Sequence, residues 1–432
     1  MQPEASSRRR FLQWAAVTAG SWWLAPKDPV HGAQTGELLN PEANVVDVEP
    51  NMLGAYGPWA ASIIGDRIPE ASFRHPQWTD LQQWRQIARR HYVEAIMQPE
   101  EPFVPEPELV GTVELDGLAI ERLRWQLPYG PPTEAVFLKP AAAREPLPAV
   151  LGLHDHGGIK YFGKDKITFT GRQHPLMRKH QEFYYGGVAW ANELAKRGYA
   201  VLVHDTFLFG SRRVRLRDVP QIVRRQLEIA DLEEIDESSE EQIRRYNRFA
   251  ARHEHLVAKS LFCAGTTWPG VFTYEDQRAL DYLCSRPDVD PQRVGCAGLS
   301  GGGLRTVYLA GLDDRIRCAC CVGMMTTWRD YLLNKCFTHT WMIYIPGLPR
   351  YLDYPEIFGL MVPKPILVLN CEKDFLFTLP EMKRAERILR QVYAKAGAAD
   401  QFRCSYYPVP HRFNRPMQAE AFAFFDRHLK AA

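Results

Sequence analysis

The 432-residue chain has no excess of either charge: 53 Lys+Arg face 51 Asp+Glu, a formal net charge of +2. That balance argues against a nucleic-acid binder, which carries a basic surplus to meet phosphates. No apolar run reaches the roughly 20 residues of a membrane-spanning helix, so no stable membrane anchor is expected. Internal repeats and low-complexity tracts are absent, and the 30 Gly and 32 Pro are spread along the chain. That spread argues against a long disordered or fibrous protein. Cysteine is missing from the first 262 residues, and the nine that follow are odd in number and match no zinc-site spacing. Cys296, Cys318, Cys320, Cys321, Cys371 and Cys404 sit in or beside apolar, strand-like runs, where thiols pack as small apolar residues. What remains is ordinary globular composition at a length that suits one large catalytic domain with additions, or two ordinary domains.

The chain begins with a basic cluster, Ser7-Arg8-Arg9-Arg10, followed by Phe11-Leu12 and an uncharged stretch to Ala25. A basic start, a short apolar segment and a small-residue exit are the parts of an export signal. The paired arginines before Phe-Leu resemble the twin-arginine signal, which carries proteins across a membrane already folded. The resemblance implies contact with the twin-arginine translocation machinery and a periplasmic or secreted product. Residues 1–33 are set aside as this signal, with Ala33 a plausible end.

Residues 34–110 are mixed, with many Pro and Trp and a helical pattern near 78–92 carried by Leu81, Trp84, Ile87 and Ala88. They read as a mostly helical wrap on the main domain, which occupies 111–432. There, 118–127 and 133–140 read as two strands joined by Tyr129-Gly130-Pro131-Pro132. Strand-like runs at 149–153, 199–204, 293–297, 316–323, 365–370 and 402–407 then alternate with helix-like runs at 187–197, 272–285, 301–312, 381–395 and 418–430. Such alternation predicts an α/β fold with a mostly parallel central sheet and helices on both faces, the leading strand pair adding an antiparallel edge. Two stretches interrupt it. Residues 211–262 are densely charged and read as one or two solvated, inserted helices; residues 326–362 are rich in aromatics and Pro. Insertions at the carboxyl ends of strands border the ligand site in such sheets, so either is a candidate lid.

The strongest local signal is Gly298-Leu299-Ser300-Gly301-Gly302, a G-x-S-x-G between a predicted strand and a predicted helix. That context is what a nucleophile elbow needs: a turn so sharp that its flanking residues must be small, holding the Ser clear of the sheet. A Ser hydroxyl is a weak nucleophile without a base, and the base needs an orienting acid. His411, in the loop Pro408-Val409-Pro410-His411 just before the last helix, is the predicted base; His428 lies inside a helix. Asp374, just past the strand 365–370, is the predicted acid, with Glu372 and Asp330 as the alternatives. The developing oxyanion needs fixed backbone donors. The Gly301 amide is one, and the loop His154-Asp155-His156-Gly157-Gly158 is expected to supply the other, from Gly158 first and Gly157 next. His154-x-His156 lacks a third ligand at a recognisable spacing, so neither metal nor cofactor is expected. Trp268 and Trp328 are expected near the nucleophile, flat apolar rings under a roof made by 326–362.

Taken together, these motifs resemble the α/β-hydrolase superfamily, and more closely its dienelactone-hydrolase and acetyl-xylan-esterase-like bacterial branch. Leu194-Ala195-Lys196-Arg197-Gly198-Tyr199, Asp205 with Phe209-Gly210, Arg286-Pro287-Asp288-Val289-Asp290-Pro291-Gln292-Arg293-Val294 and Leu312-Asp313-Asp314-Arg315-Ile316 add to the likeness. The resemblance implies Ser300 as nucleophile, Asp374 as acid and His411 as base of an exported serine hydrolase acting on a carboxylic ester. The substrate class is a small-molecule or carbohydrate ester, an acetyl ester on a polysaccharide being one candidate within it. The chain departs from the branch in two places: acetyl-xylan esterases typically carry His-Gly-Tyr where it has His156-Gly157-Gly158, and dienelactone hydrolases use a cysteine where it has Ser300. Two rivals are a peptidase of the prolyl-oligopeptidase type and a non-catalytic binding protein on the same fold. The first normally carries a β-propeller, for which the region before residue 111 is too short. The second usually loses a member of the Ser, Asp and His set.

Overall fold

The computed structural model describes residues 50–64, 67–99 and 103–430; the stretch 1–33, read as an export signal, lies outside them. Nine strands form one sheet: β1 (Glu108–Leu115), β2 (Leu118–Trp125), β3 (Thr133–Pro140), β4 (Leu147–Leu153), β5 (Ala200–His204), β6 (Val289–Leu299), β7 (Ile316–Val322), β8 (Ile366–Cys371) and β9 (Phe402–Tyr407). Their spatial order is β1-β2-β3-β5-β4-β6-β7-β8-β9. From β5 to β9 all neighbours are parallel, while β1, β2 and β3 pair antiparallel with one another and with β5. β5 and β8 are buried at every residue, and β4 and β7 nearly so. They read as unbroken apolar runs because helices cover both of their faces.

The antiparallel edge has three strands where the sequence suggested two. β1 escaped because it is an edge strand with five of its eight residues exposed and none buried, and a register shift between Leu109 and Gly111 spoils the alternation that marks a strand. A second unanticipated element is the helix Pro175–Tyr185. His174 caps it by accepting from the Leu176 amide, Pro175 starts it, and left-handed Gly186 ends it. Its buried positions include His180 and Gln181, so an apolar stripe alone could not reveal it. The run expected at 187–197 shortens to Trp190–Lys196.

Two apolar layers sandwich the sheet. One holds Phe137, Leu151 and Cys296 of the strands with Trp84, Ala88, Tyr92 and Ile96 of the helix Leu81–Ile96. Those four helix residues recur every fourth position and form one stripe. The other layer holds Val150, Val203 and Leu369 with Trp190, Phe413 and Phe425. The charged insertion contains the helices Gln221–Gln226 and Glu240–Cys263. The longer one starts on Ser239, whose hydroxyl accepts from the Gln242 amide, with Glu240 and Glu241 facing the positive end of the helix dipole. It is not solvated all round: Ile243, Tyr246 and Phe249 join Tyr161 and Met177 in a third apolar cluster.

Candidate active site

β6 ends at Leu299 and the helix Gly301–Leu312 starts two residues later, with Ser300 between them at φ 57° and ψ −120°. A positive φ is costly for a residue with a Cβ, and here the surroundings enforce it. The Ser300 amide donates to the Val322 carbonyl of β7 (2.9 Å). Neighbouring backbone crowds the flanks: a Cβ on Gly298 would lie 2.4 Å, and one on Gly302 2.0 Å, from the Leu153 carbonyl oxygen. Nothing larger than glycine fits at either position, which is the steric content of the motif.

Asp374 and His411 come from the loops after β8 and β9, and the two loops are tied together. The Glu372 amide donates to the Tyr407 carbonyl (2.8 Å), the Lys373 amide to the Val409 carbonyl (3.1 Å), and Cys371 Sγ to the Arg412 carbonyl (3.3 Å). The buried Asp374 carboxylate accepts from the Leu376 amide at Oδ1 (3.0 Å) and from His411 Nδ1 at Oδ2 (2.5 Å). With Nδ1 held by a carboxylate, the ring presents Nε2 on its far side. Gly323 leaves room for it, since a Cβ there would stand 3.2 Å from His411 Cε1. The alternative acids do other things. Glu372 is exposed. Asp330 is buried and accepts from Thr326 Oγ1 (2.8 Å), Asn334 Nδ2 (3.1 Å), Thr378 N (3.0 Å) and Thr378 Oγ1 (2.9 Å), a brace with no histidine on it.

The loop after β4 turns on Gly157 (φ 51°) and Gly158 (φ 69°), closed by the Ile159 amide donating to the His156 carbonyl (3.1 Å). Two successive positive φ values are what a tight I′-type reversal demands, hence the glycine pair. The predicted donor at Gly158 needs correction, because its amide already donates to His156 Nδ1 (3.1 Å). The amide that approaches the elbow belongs to His156: a Cβ on Gly301 would stand 3.0 Å from His156 N. Gly157 is needed for packing as well, since a Cβ there would fall 2.3 Å from Asp155 Oδ2. Because His156 Nδ1 accepts, its Nε2 carries the proton and donates to Glu254 Oε1 of the inserted helix (3.2 Å). Burial lowers the pKa of this imidazole.

Ser300, His411 and the His156-Gly157-Gly158 loop line one cavity of about 450 Å³. Its other walls are largely apolar, with Leu304, Met324, Met342, Ile343 and Leu376, and the exposed rings of Phe183 and Phe375 stand at the rim. Among the described residues no lysine or arginine lines it. Thr338, His339, Thr340, Met342 and Ile343 come from the aromatic stretch 326–362. Burial pushes His339 down to about 4, so it is neutral near pH 7. A larger polar cleft of about 540 Å³, bordered by Tyr161, Lys164 and Arg213, contains none of these groups.

The sequence pattern of the prolyl oligopeptidase family matches residues 264–431, the part that carries Ser300, Asp374 and His411. "Putative hydrolase YtaP" of Bacillus subtilis (strain 168) is 29% identical over 298 residues, 68% of this chain and 83% of that protein. Among solved structures, a putative acetyl xylan esterase from Bacteroides fragilis NCTC 9343 aligns with a TM-score of 0.60 at 17% identity, covering 81% of each chain. A glucuronoyl esterase from Solibacter usitatus aligns with a TM-score of 0.55 at 15% identity, covering 84% of this chain and 98% of that one. The chain has the α/β-hydrolase fold.

Within this α/β-hydrolase fold the two predicted tryptophans are misplaced. Neither lines the cavity. The Trp328 indole donates to the Leu352 carbonyl (3.0 Å) and packs on Tyr331 and Tyr354. Trp268 is buried against Phe207, with the Lys160 ammonium 4.6 Å from its ring centre. Both rings are buried in the core, where a large aromatic side chain gains most from the area it removes from water. Sequence reasoning passed over Tyr184, whose ring meets His411 edge-on at 6.2 Å between centroids. It also missed Asp155, Lys166, His180, Tyr185 and Glu254, which hold the loop after β4 from behind. Asp155 stands inside the His154-Asp155-His156-Gly157-Gly158 loop but was given no role there, and Lys166, His180, Tyr185 and Glu254 sit in no recognisable motif.

Proposed function

We propose that the protein is a serine hydrolase of carboxylic esters. The observation that carries this reading is Ser300, held at positive φ on an elbow, sharing one cavity with His411 while Asp374 holds the far side of that ring. Ser300 Oγ attacks the ester carbonyl carbon as His411 Nε2 takes its proton. The carbonyl oxygen becomes an oxyanion facing the amides of Gly301, in the unpaired first turn of its helix, and of His156. The C–O bond to the alcohol then breaks and His411 returns the proton to the leaving oxygen. Water, deprotonated by the same ring, attacks the acyl-enzyme and regenerates Ser300.

The walls suit an uncharged ester. An apolar cavity without lysine or arginine gives no reward for an anionic acyl group, and the Phe183 and Phe375 rim offers flat faces to a sugar or aryl alcohol. Together with the names of the similar esterases, this supports an acetyl ester on a polysaccharide as the leading substrate. The prolyl oligopeptidase match supports a peptidase as the second reading. Purified protein assayed with p-nitrophenyl esters of rising acyl length, acetylated xylan and prolyl p-nitroanilides separates them. Acetate release with little anilide cleavage is expected; a preference for long acyl chains removes the polysaccharide ester, and preferred anilide cleavage favours the peptidase. Labelling of Ser300 by a fluorophosphonate, absent in Ser300→Ala, distinguishes either enzyme from a binding protein.

The reading includes export through the twin-arginine route to the periplasm or beyond. The basic pair Arg8-Arg9 supports it, as do nine cysteines that are all free thiols, suiting a protein that folds before it leaves a reducing compartment. Changing both arginines to Lys should retain the protein in the cytoplasm. Unchanged export would rule this route out.

A further inference from the structure

The loop after β4 has a buried cation behind it. Lys166 is fully buried, and its ammonium donates to the carbonyls of Asp155 (2.7 Å) and His156 (2.9 Å) while lying 4.7 Å from the centre of the Phe209 ring. In a trans peptide the C=O of one residue and the N–H of the next point in opposite directions. The carbonyls of Asp155 and His156 converge on one ammonium. The N–H groups of His156 and Gly157 therefore point away from it. The first of these borders the elbow, as the 3.0 Å approach to a Cβ on Gly301 records. From the geometry we infer that Lys166 is a positioning residue which sets the peptide planes of the oxyanion loop. This rests on the ester-hydrolase reading.

Three features make the arrangement more than a satisfied lysine. Both carbonyls have further donors, His154 Nδ1 to Asp155 O (3.1 Å) and the Ile159 amide to His156 O (3.1 Å), so the planes are held by two donors each. The Asp155 side chain, on the same residue, is locked by Tyr185 OH (2.5 Å) and His180 Nε2 (3.2 Å). That carboxylate also balances the Lys166 charge, and both side chains are buried. Burial opposes ionisation of Asp155, but His180 and Lys166 outweigh it and hold the carboxyl well below its usual range. A preorganised donor of this kind acts on the transition state, where negative charge develops, and contributes little to binding of the neutral ester.

The test is Lys166→Met, checked for folding by circular dichroism and assayed with p-nitrophenyl acetate. kcat should fall roughly 100-fold, the low end of what deleting an oxyanion donor costs, with KM within about threefold. Inhibition by phenylboronic acid, which forms a tetrahedral adduct on Ser300, should weaken in proportion to kcat. Inhibition by p-nitroacetanilide, a neutral ground-state isostere, should hardly move. An unchanged kcat, or equal losses in kcat, KM and both inhibition constants, overturns the inference. The wild-type crystal structure with phenylboronate reads the same point without any variant. A boronate oxygen at about 2.7–3.1 Å from His156 N and Gly301 N, with Lys166 on the two carbonyls, is expected. An oxygen held by Gly158 N refutes it. Activity surviving in Ser300→Ala would sink the ester-hydrolase reading itself, whereas a dead Ser300→Ala beside an unimpaired Lys166→Met removes only this inference.

Discussion

Asp374→Asn is nearly isosteric, yet it sets two demands of one buried site against each other. In the wild type, Oδ1 accepts from the Leu376 amide and Oδ2 from His411 Nδ1. An asparagine can keep its oxygen on the Leu376 amide only by turning its NH₂ towards His411. Nδ1 must then accept, the ring proton moves to Nε2, and the tautomer can no longer take a proton from Ser300. The flipped amide restores the oxygen to Nδ1 but sets NH₂ against N–H at Leu376, an unmet buried donor pair costing about 1–3 kcal/mol. The ring also loses the negative charge that steadies its imidazolium. The same change in a well-studied serine protease lowers kcat about 10⁴-fold, or about 5.4 kcal/mol of activation free energy, and a loss of that order is expected here. The assay is kcat on p-nitrophenyl acetate with Tm measured in parallel, and Asp330→Asn is the control. Asp330 serves Thr326, Asn334 and Thr378 but no histidine. Its variant should lose Tm while keeping kcat within about tenfold, far above the Asp374 variant. A larger kcat loss in Asp330→Asn than in Asp374→Asn would refute the assignment of the acid.

Three further outcomes follow. Ser300→Ala and His411→Ala should each lower kcat on the order of a million-fold with Tm nearly kept; near-normal turnover in either would end the mechanism. Trp328→Ala should cost about 3–5 kcal/mol of stability by opening a cavity in the core, read by urea unfolding, whereas a KM rise confined to the bulky natural ester at unchanged stability would put the ring back in the pocket. In acid, burial works to raise the Glu254 carboxyl, but Lys160 and His156 outweigh it and hold it at about 2. A depressed folded-state pKa stabilises above the unfolded value and loses that contribution as pH falls towards the folded one. The urea midpoint should therefore drop between about pH 5 and pH 2, and a flat profile over that window would contradict the charge pairing.

How much was legible depended on how local the physics is. The alternation of apolar runs with amphipathic ones already dictates a parallel sheet with helices on both faces, because each strand's covering helix follows it within a few dozen residues. The glycines around Ser300 were equally readable: the elbow is a five-residue steric problem, and Gly298 and Gly302 answer it against the Leu153 backbone. The order of Ser300, Asp374 and His411 along the chain pointed to their strand ends for the same reason. What the sequence could not carry was direction. Trp268 and Trp328 have the composition of a sugar platform, but which side of a turn a ring takes depends on packing partners such as Leu352 and Phe207. Edge strand β1 meets the apolar layer only through Val113 and Leu115, too few positions to impose a pattern on it. The loop after β4 shows the limit most clearly. Gly158 was the natural donor by motif, yet its amide is taken by the His156 ring and that ring by Glu254, 98 residues away. The carbonyls beneath converge on Lys166, buried at the end of a short turn. Hydrogen bonds between groups so far apart in sequence form only once the sheet has brought the loop, the helix Pro175–Tyr185 and the inserted helix Glu240–Cys263 to one place. Tertiary structure alone therefore decided that the His156 amide, and not that of Gly158, borders the elbow.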